Sequence, residues 1–169
     1  MALCRGGSTC NVSPLQGGSR GNLFFGICNM ISIRQANECG VEALCLLDLI
    51  AGRENERREF IRRSVASGTC FVAVVEDEVI GYGVLNYTFY DNGFVDMLYV
   101  HSGHRRRGVG VTLLRHLESF CETSKLFIST NLSNLPMQSL LAKLVYVLSG
   151  VIHNLDEGDP ELVYFKRLR

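Results

Sequence analysis

The sequence has no excess charge of either sign, because 17 lysine and arginine residues balance 17 aspartate and glutamate residues. A neutral chain lacks the broad positive field that attracts nucleic acid or an anionic membrane surface, so we expect neither as a partner. A long hydrophobic run is also missing. The longest apolar stretch, near residues 43–51, is interrupted by Asp48 and is too short to cross a bilayer.

The seven cysteines include no Cys-x-x-Cys pair, which argues against a metal site. Four of them lie inside apolar patterns, where free thiols are commonly buried: Cys39, Cys45, Cys70 and Cys121. The odd total of seven cysteines, with four of them in such positions, indicates a reducing compartment. We therefore expect a cytoplasmic protein without a metal. No cysteine accompanies a histidine-and-acid pair, so a nucleophilic cysteine is not favoured.

Residues 1–29 differ in composition from the rest of the chain. They are rich in Gly, Ser and Asn, contain no acidic residue and carry Arg5 and Arg20. This composition is typical of a flexible leader. Three origins stay open: a targeting peptide, which would place the protein in an organelle, a remnant of cloning, or upstream sequence read through before a start at Met30. Residues 30–169 are long enough for a single domain with its own core.

Hydrophobic periodicity predicts the element order β-α-α-β-β-β-α-β-α-β-β for residues 30–169. The predicted strands are 30–34, 69–76, 79–90, 94–100, 126–130, 147–155 and 161–168, and the helices are 41–51, 54–66, 109–121 and 137–146. A right-handed crossover should make strands 94–100 and 126–130 parallel. The order predicts an α/β (layered α+β) fold: a mixed, mostly antiparallel central sheet of about seven strands with helices on both faces.

The turn before helix 109–121 joins three arginines to two glycines, Arg105-Arg106-Arg107-Gly108-Val109-Gly110. A helix that begins near Gly108 directs free N–H groups into the turn, and these donors attract a phosphate. Glycine allows close approach to the backbone. The pattern alone is weak, since most arginine runs are solvated. It is neither a nucleotide P-loop, because no Lys-Ser/Thr follows, nor a dinucleotide fingerprint, because Leu113 stands where a third glycine belongs.

This turn resembles the pyrophosphate loop of the GNAT superfamily of acyl-CoA-dependent N-acyltransferases. The family pattern is Gln/Arg-x-x-Gly-x-Gly/Ala, between a strand with an aliphatic end and a helix. Two further segments are similar to the family: FVAVVEDEVIGYGVL matches its second and third strands, and NLPMQSLLAKLVYVLSGV matches its Asn-x-x-Ala-x-x-Leu-Tyr-x-x-x-Gly-Phe segment. The resemblance covers residues 30–169 and agrees with the predicted order of elements.

The resemblance implies acetyl-CoA as co-substrate and no metal. It implies backbone contacts to the pyrophosphate from the turn and the first residues of the helix: Arg105, Arg106, Arg107, Gly108, Val109, Gly110 and Val111. In the family, the strand that here carries Val100 splays from the strand that carries Phe127. The pantetheine arm fills that split and pairs with backbone, here of Leu98, Tyr99 and Val100. One free N–H group there would stabilise an oxyanion, and Asn134 would add a polar contact.

Asp96 is the candidate general base, because it is the one acid in strand 94–100 and the family often has Glu or Asp there. The alternative is a structural carboxylate. The tyrosine that serves as general acid in the family falls at Leu141, and the family glycine falls at Val145. Tyr146 is the weak substitute, with Tyr82, Tyr87 and Tyr99 as others, unless CoA leaves as a thiolate that water protonates. His101 and His104 are interpreted as exposed loop residues.

The resulting hypothesis is an N-acetyltransferase that moves an acetyl group from acetyl-CoA to a primary amine by direct attack in a ternary complex. The acceptor would be a small molecule or a protein, and a homodimer is possible. The missing tyrosine supports an alternative, a non-catalytic acyl-CoA sensor or interaction module of the same fold. A nucleic-acid binder using His104–Gly108 is disfavoured by neutral charge. Four arginines on helix 54–66 are interpreted as a solvated face, because Glu56 and Glu59 interleave them: Arg57, Arg58, Arg62 and Arg63.

Overall fold

The computed structural model describes residues 30–169, which form a seven-stranded sheet in the order β1-β2-β3-β4-β5-β7-β6. The strands are β1 Ser32–Gln35, β2 Cys70–Val75, β3 Glu78–Phe89, β4 Asn92–Val100, β5 Lys125–Asn131, β6 Val147–Ile152 and β7 Glu161–Arg167. The helices are α1 Val41–Leu47, α2 Asn55–Ala66, α3 Val109–Phe120 and α4 Leu135–Lys143. Within this part of the chain, β4 and β5 are the one parallel pair, so the predicted α/β fold with its mixed, mostly antiparallel sheet is confirmed. The predicted leader, residues 1–29, lies outside the described residues.

Helices cover both faces of the sheet, as predicted. Helices α3 and α4 bury Leu114, Leu117 and Leu141 against one face, which we call the back face. Helices α1 and α2 bury Leu44 and Ile61 against the other, the front face. Gly81 and Gly83 leave room for α3 on β3, since an added Cβ would lie 3.4 Å and 3.0 Å from the methyl groups of Leu113 and Leu117. In residues 30–169 no helix is long and apolar enough to span a membrane.

Helix α1 is four residues shorter than the predicted helix 41–51 because Asp48 ends it. The Asp48 carboxylate accepts hydrogen bonds from the backbone N–H groups of Ile50 and Ala51, at 2.9 and 3.4 Å. Such local bonds replace the next helical turn. The chain therefore leaves the helix and exposes Leu49 and Ile50 in the loop between α1 and α2.

Two hairpins join β2 to β3 and β3 to β4. Glu76 and Asp77 carry φ angles of +49° and +67°, and Tyr90 and Asp91 carry +51° and +56°. Two consecutive residues with positive φ define a type I′ turn, whose twist matches that of the flanking strands. The turns therefore hold the three-stranded meander β2-β3-β4 in register.

The turn after α4 contains a strained valine. Val145 has a φ of +64°, the left-handed region where the family pattern has glycine, and its side chain is 73% exposed. A β-branched side chain in this region costs about 1–3 kcal/mol. The substitution of the family glycine therefore keeps the turn and introduces strain into it.

We predict that Val145→Gly raises the free energy of unfolding by about 1 kcal/mol, because strain relief outweighs the unfolded-state entropy of glycine, about 0.5–1 kcal/mol. Urea unfolding should show a higher midpoint with an unchanged m-value. Val147→Gly is the matched control, since Val147 is also exposed but lies in β6, where glycine weakens a strand. A Val145→Gly protein no more stable than the parent would contradict the assignment of strain.

Candidate functional site

The parallel strands β4 and β5 separate after a short paired region. They pair over three positions, Gly93–Val95 with Leu126–Ile128. Beyond these positions β4 stays paired with β3 as far as Val100, and β5 stays paired with β7 as far as Asn131. A gap therefore opens in the middle of the sheet, which confirms the predicted splay of the central parallel strands.

Backbone groups of β4 face this gap without a strand partner. The His101 N–H donates to the Ile80 carbonyl at 2.9 Å, so the residue pairs His101–Ile80 and Tyr99–Tyr82 exchange the hydrogen bonds with β3. Because bonding direction alternates along an antiparallel strand, Leu98 and Val100 direct their N–H and carbonyl groups into the gap. The Val100 carbonyl accepts from Arg105 Nε at 3.1 Å. The two N–H groups remain available to an extended ligand.

The turn that follows β4 presents a run of free N–H groups at the start of α3. The N–H groups of Arg105 and Thr112 donate to backbone carbonyls within the turn, whereas those of residues 106–111 have no acceptor in the described part of the chain. Gly108 precedes the helix with a φ of +87°, and a Cβ added to it would meet no atom within 4 Å. The arginines Arg105, Arg106 and Arg107 are exposed beside it.

These features fit a pyrophosphate. Several unpaired N–H groups at a helix N-terminus, with cationic side chains nearby, form an anion site. Gly110 lies against α4 and β4, where an added Cβ would be 3.4 Å from Leu140 and 3.9 Å from Val100. The turn therefore sits at the mouth of the gap. Asn134 caps α4 by accepting from the Met137 N–H at 3.2 Å, which leaves its amide NH2 group free to donate.

Asp96 occupies a bulge in β4. Val84 pairs with Met97 and Leu85 pairs with Val95, so the backbone of Asp96 has no pairing residue on β3. Its carboxylate accepts a hydrogen bond from Asn86 Nδ2 at 2.5 Å. Partial desolvation by the surrounding protein raises the pKa of Asp96, and the hydrogen bond from Asn86 lowers it by less. Although Asp96 still reaches solvent, its carboxyl group is therefore easier to protonate than an ordinary aspartate.

The bulge places Asp96 on the front face beside the gap. Val95 packs with the back-face core, whereas Met97 packs with the front-face core, and the extra residue in the bulge absorbs the change of side. Phe94 and Phe127 face each other at the middle paired position of β4 and β5, and Val95 with Ile128 is the last pair. The gap opens immediately after this pair, so Asp96 stands at its start.

Two predicted site residues are not placed for their roles. Tyr99 points to the front face, where its hydroxyl accepts from the Leu49 N–H at 3.3 Å, and its backbone pairs with β3, so neither part reaches the gap. Tyr146 is buried, and its hydroxyl has no partner among the described residues. Burial raises the pKa of Tyr146, and Glu118, near the end of α3 remote from Gly108, acts in the same direction. This burial argues against Tyr146 as a proton donor to a departing thiolate.

The other tyrosines named as proton donors are also engaged. The Tyr82 hydroxyl is fully buried and donates to Asp48, and the Tyr87 hydroxyl accepts from the Glu122 N–H at 3.0 Å. His101 and His104 lie with ring centroids 5.8 Å apart at the turn, and both are partly exposed. Leu141, at the position of the family tyrosine, is a fully buried core residue.

Sequence reasoning missed the buried pair of Asp48 and Tyr82. Asp48 is 0% exposed, and its second carboxylate oxygen accepts from the Tyr82 hydroxyl at 2.6 Å. With the bonds to Ile50 and Ala51, this anchors the α1–α2 loop on β3 beside Tyr99. An isolated aspartate in an apolar run was the one available signal for a buried, satisfied carboxylate.

We predict that Tyr82→Phe lowers the free energy of unfolding by about 1–3 kcal/mol, because it leaves a carboxylate oxygen of Asp48 buried without its donor. Tyr99→Phe is the control, since its ring stacks on Tyr82 at 5.8 Å but its hydroxyl serves an exposed N–H group. Chemical unfolding of both variants checks this. Equal losses in the two would contradict the role assigned to the Tyr82 hydroxyl.

Known proteins share this fold. A family model described as Acetyltransferase (GNAT) family matches residues 40–145. The crystal structure of a GNAT-family acetyltransferase from Bacillus cereus ATCC 10987 is 30% identical in sequence, with a TM-score of 0.77, and the match covers 82% of this chain and 97% of that one. No protein among curated sequences matches the chain.

More distant structures support the fold alone. An N-acetyltransferase from Staphylococcus aureus Mu50 has a TM-score of 0.69 at 16% identity, and the match covers 83% of this chain and 99% of that one. The protein yncA from Salmonella typhimurium, solved with its cofactor acetyl-CoA, has a TM-score of 0.67 at 16% identity, with coverage of 82% and 94%.

Proposed function

The chain belongs to the GNAT family of acetyltransferases, and on this basis we propose that it is an N-acetyltransferase that moves the acetyl group of acetyl-CoA to a primary amine by direct attack in a ternary complex. The observation that carries the proposal is the gap between β4 and β5, which brings free N–H groups and the carboxylate of Asp96 together at one place. The amine acceptor is a small molecule or a protein.

Different groups of the chain would contact the pyrophosphate and the pantetheine arm of acetyl-CoA. The N–H groups of residues 106–111 and the neighbouring arginines would hold the pyrophosphate. The free N–H groups of Leu98 and Val100 would pair with the pantetheine arm as an added strand does, and the Asn134 amide would donate from the other flank. Acetyl-CoA would supply the thioester from which the acetyl group is transferred.

Two groups act on the chemistry. An N–H group of β4 that faces the gap can donate to an oxygen atom that gains negative charge, and it needs no reorientation to do so. Asp96 accepts the proton that the amine must lose, directly or through water. Tyr82 and Tyr146 are buried, and Leu141 cannot donate a proton, so we propose that CoA leaves as a thiolate and that solvent protonates it.

One observation favours a second function, a non-catalytic module that binds acyl-CoA. Leu141 occupies the position of the family tyrosine and cannot donate a proton. A protein of this kind would bind acetyl-CoA through the same turn and release no CoA when amines are added.

The experiment that separates the two functions combines calorimetry with an acetylation assay. The purified protein is titrated with acetyl-CoA, then incubated with acetyl-CoA and a panel of primary amines, while thiol release and acetylated product are followed. Binding together with amine-dependent thiol release supports the acetyltransferase. Binding without release supports the module, and failure of the folded protein to bind acetyl-CoA would remove both.

A further inference from the structure

Arg57 differs from the paired arginines of α2 because it has no acidic partner. Arg58 lies 3.8 Å from Glu42, and Arg62 lies 2.6 Å from Glu59. Arg57 forms no ion pair with any carboxylate of residues 30–169, although its side chain is partly buried. A guanidinium group that has lost part of its water without gaining a counter-ion is poorly stabilised in the protein alone.

The contacts of Arg57 place it beside Met97, which follows Asp96 in β4. Its Nη1 donates to the sulfur atom of Met97 at 3.0 Å, and its guanidinium lies 6.0 Å from the ring centroid of Phe60. Met97 is the sequence neighbour of Asp96, and the β4 bulge turns both side chains to the front face. The guanidinium group therefore lies on the same side of β4 as Asp96 without forming an ion pair with it, and most of its donors are unused.

Four phenylalanine rings form a continuous aromatic surface on the same face of the sheet, which we call the phenylalanine floor: Phe89, Phe94, Phe127 and Phe165. The rings of Phe89 and Phe94 stack with centroids 5.0 Å apart, and the rings of Phe89 and Phe127 are 5.2 Å apart. Phe127 in turn stacks on Phe165 at 5.8 Å. All four are partly exposed, and they lie on the face of β3, β4, β5 and β7 opposite the core helices α3 and α4. The phenylalanine floor can bury an apolar side chain of a ligand.

We infer that the acceptor is an amino acid: a molecule whose primary amine faces Asp96, whose carboxylate pairs with Arg57, and whose apolar side chain lies on the phenylalanine floor. This inference rests on the proposed function and specifies its substrate class. The planar guanidinium group binds a carboxylate with two parallel hydrogen bonds, which a neutral amine lacking that group cannot form. A peptide N-terminus, in which an amide replaces the carboxylate, would leave Arg57 without its counter-ion.

The test compares phenylalanine with phenylalaninamide as acceptors, in the full-length protein with saturating acetyl-CoA. The quantity measured is the ratio of kcat/KM for the acid to kcat/KM for the amide. Arg57→Gln should lower this ratio roughly tenfold or more, since a hydrogen bond between charged groups is lost. Dividing the ratio in the variant by the ratio in the parent cancels the different basicity of the two amines.

Arg62→Gln is the matched control, because Arg62 lies on the same helix, is exposed and pairs with Glu59 instead of contacting Met97. It should leave the ratio unchanged. Arg57→Lys keeps the positive charge but cannot form two parallel hydrogen bonds with a carboxylate, so it should give an intermediate ratio. Arg57 lies on α2, outside the turn at residues 106–111, so titration with acetyl-CoA checks that each variant is folded and binds the co-substrate.

The outcomes separate this inference from the proposed function. A selective fall of the ratio in Arg57→Gln supports it. Acetylation of both acceptors with the same ratio in the parent and in Arg57→Gln would overturn the amino acid assignment and leave the acetyltransferase intact. Binding of acetyl-CoA without acetylation of any amine would remove the proposed function and this inference with it.

Discussion

Replacing Gly108 with Asp should weaken acetyl-CoA binding at least roughly 100-fold, which corresponds to about 2.7 kcal/mol. The added carboxylate would stand among the N–H groups that face the pyrophosphate, and like charges at short distance repel strongly in a binding site. The positive φ of +87° adds backbone strain, because side chains rarely adopt this conformation. Calorimetry with acetyl-CoA measures the loss directly.

The chain offers a matched control for this substitution in Gly158. Gly158 also has a positive φ, +76°, and an added Cβ there would also meet nothing within 4 Å, but it lies in the turn before β7. Gly158→Asp therefore imposes similar backbone strain without approaching the site. Gly108→Asn separates charge from shape, since asparagine tolerates positive φ. If Gly108→Asp and Gly158→Asp bind acetyl-CoA equally well, the turn is not the pyrophosphate site.

Replacing Asp96 with Asn should lower kcat for amine acetylation about 100-fold, the lower end of what a general base contributes. Asparagine keeps the size of the side chain and cannot accept the proton that the amine loses. The affinity for acetyl-CoA should stay within about twofold, because the carboxylate is not among the groups proposed to hold acetyl-CoA. Asp91→Asn, in the exposed β3–β4 turn, is the control and should retain activity.

The dependence of the rate on pH tests the same role. The carboxyl group acts as a base when ionised, so the parent protein should lose activity as the pH falls through the raised pKa of Asp96. In Asp96→Asn, the acidic limb of the pH–rate profile, which is this fall in rate at low pH, should be absent. Asn86→Ala should move the limb to higher pH, because it removes the hydrogen bond that lowers the pKa. A limb that persists unchanged in Asp96→Asn would assign the base to another group.

Local patterns were sufficient for most of the fold. Strand β4, the turn at residues 105–110 and helix α3 were predicted within about two residues, because a change of hydrophobic period and the glycines mark each boundary. The parallel pairing of β4 and β5 followed from the handedness of the crossover. Helix α1 was predicted too long, because a periodic apolar pattern does not reveal that the Asp48 side chain competes for the backbone N–H groups.

The site was predictable where it consists of backbone and unpredictable where it consists of side chains from distant segments. Gly108 and Gly110 are close together in sequence, so the turn that they form can be predicted from the sequence. The contact of Arg57 with Met97 joins residues that are 40 positions apart, so it could not be predicted from the sequence. The sequence pattern instead suggested that the arginines of α2 form one solvated face. The burial of Tyr146 and the front-face position of Tyr99 could not be predicted for the same reason, since the face of the sheet to which each points depends on pairing and packing.

The sequence by itself determined the family, the order of elements and the anion-binding turn, because these depend on spacing within short segments. The tertiary structure alone decided which residues border the gap. A single extra residue in β4 brings Asp96 and Met97 to the same face, and the loop held by Asp48 and Tyr82 sets α2 beside them. That geometry sets Arg57 against Met97 without a counter-ion, because tertiary packing joins residues that are 40 positions apart in the sequence.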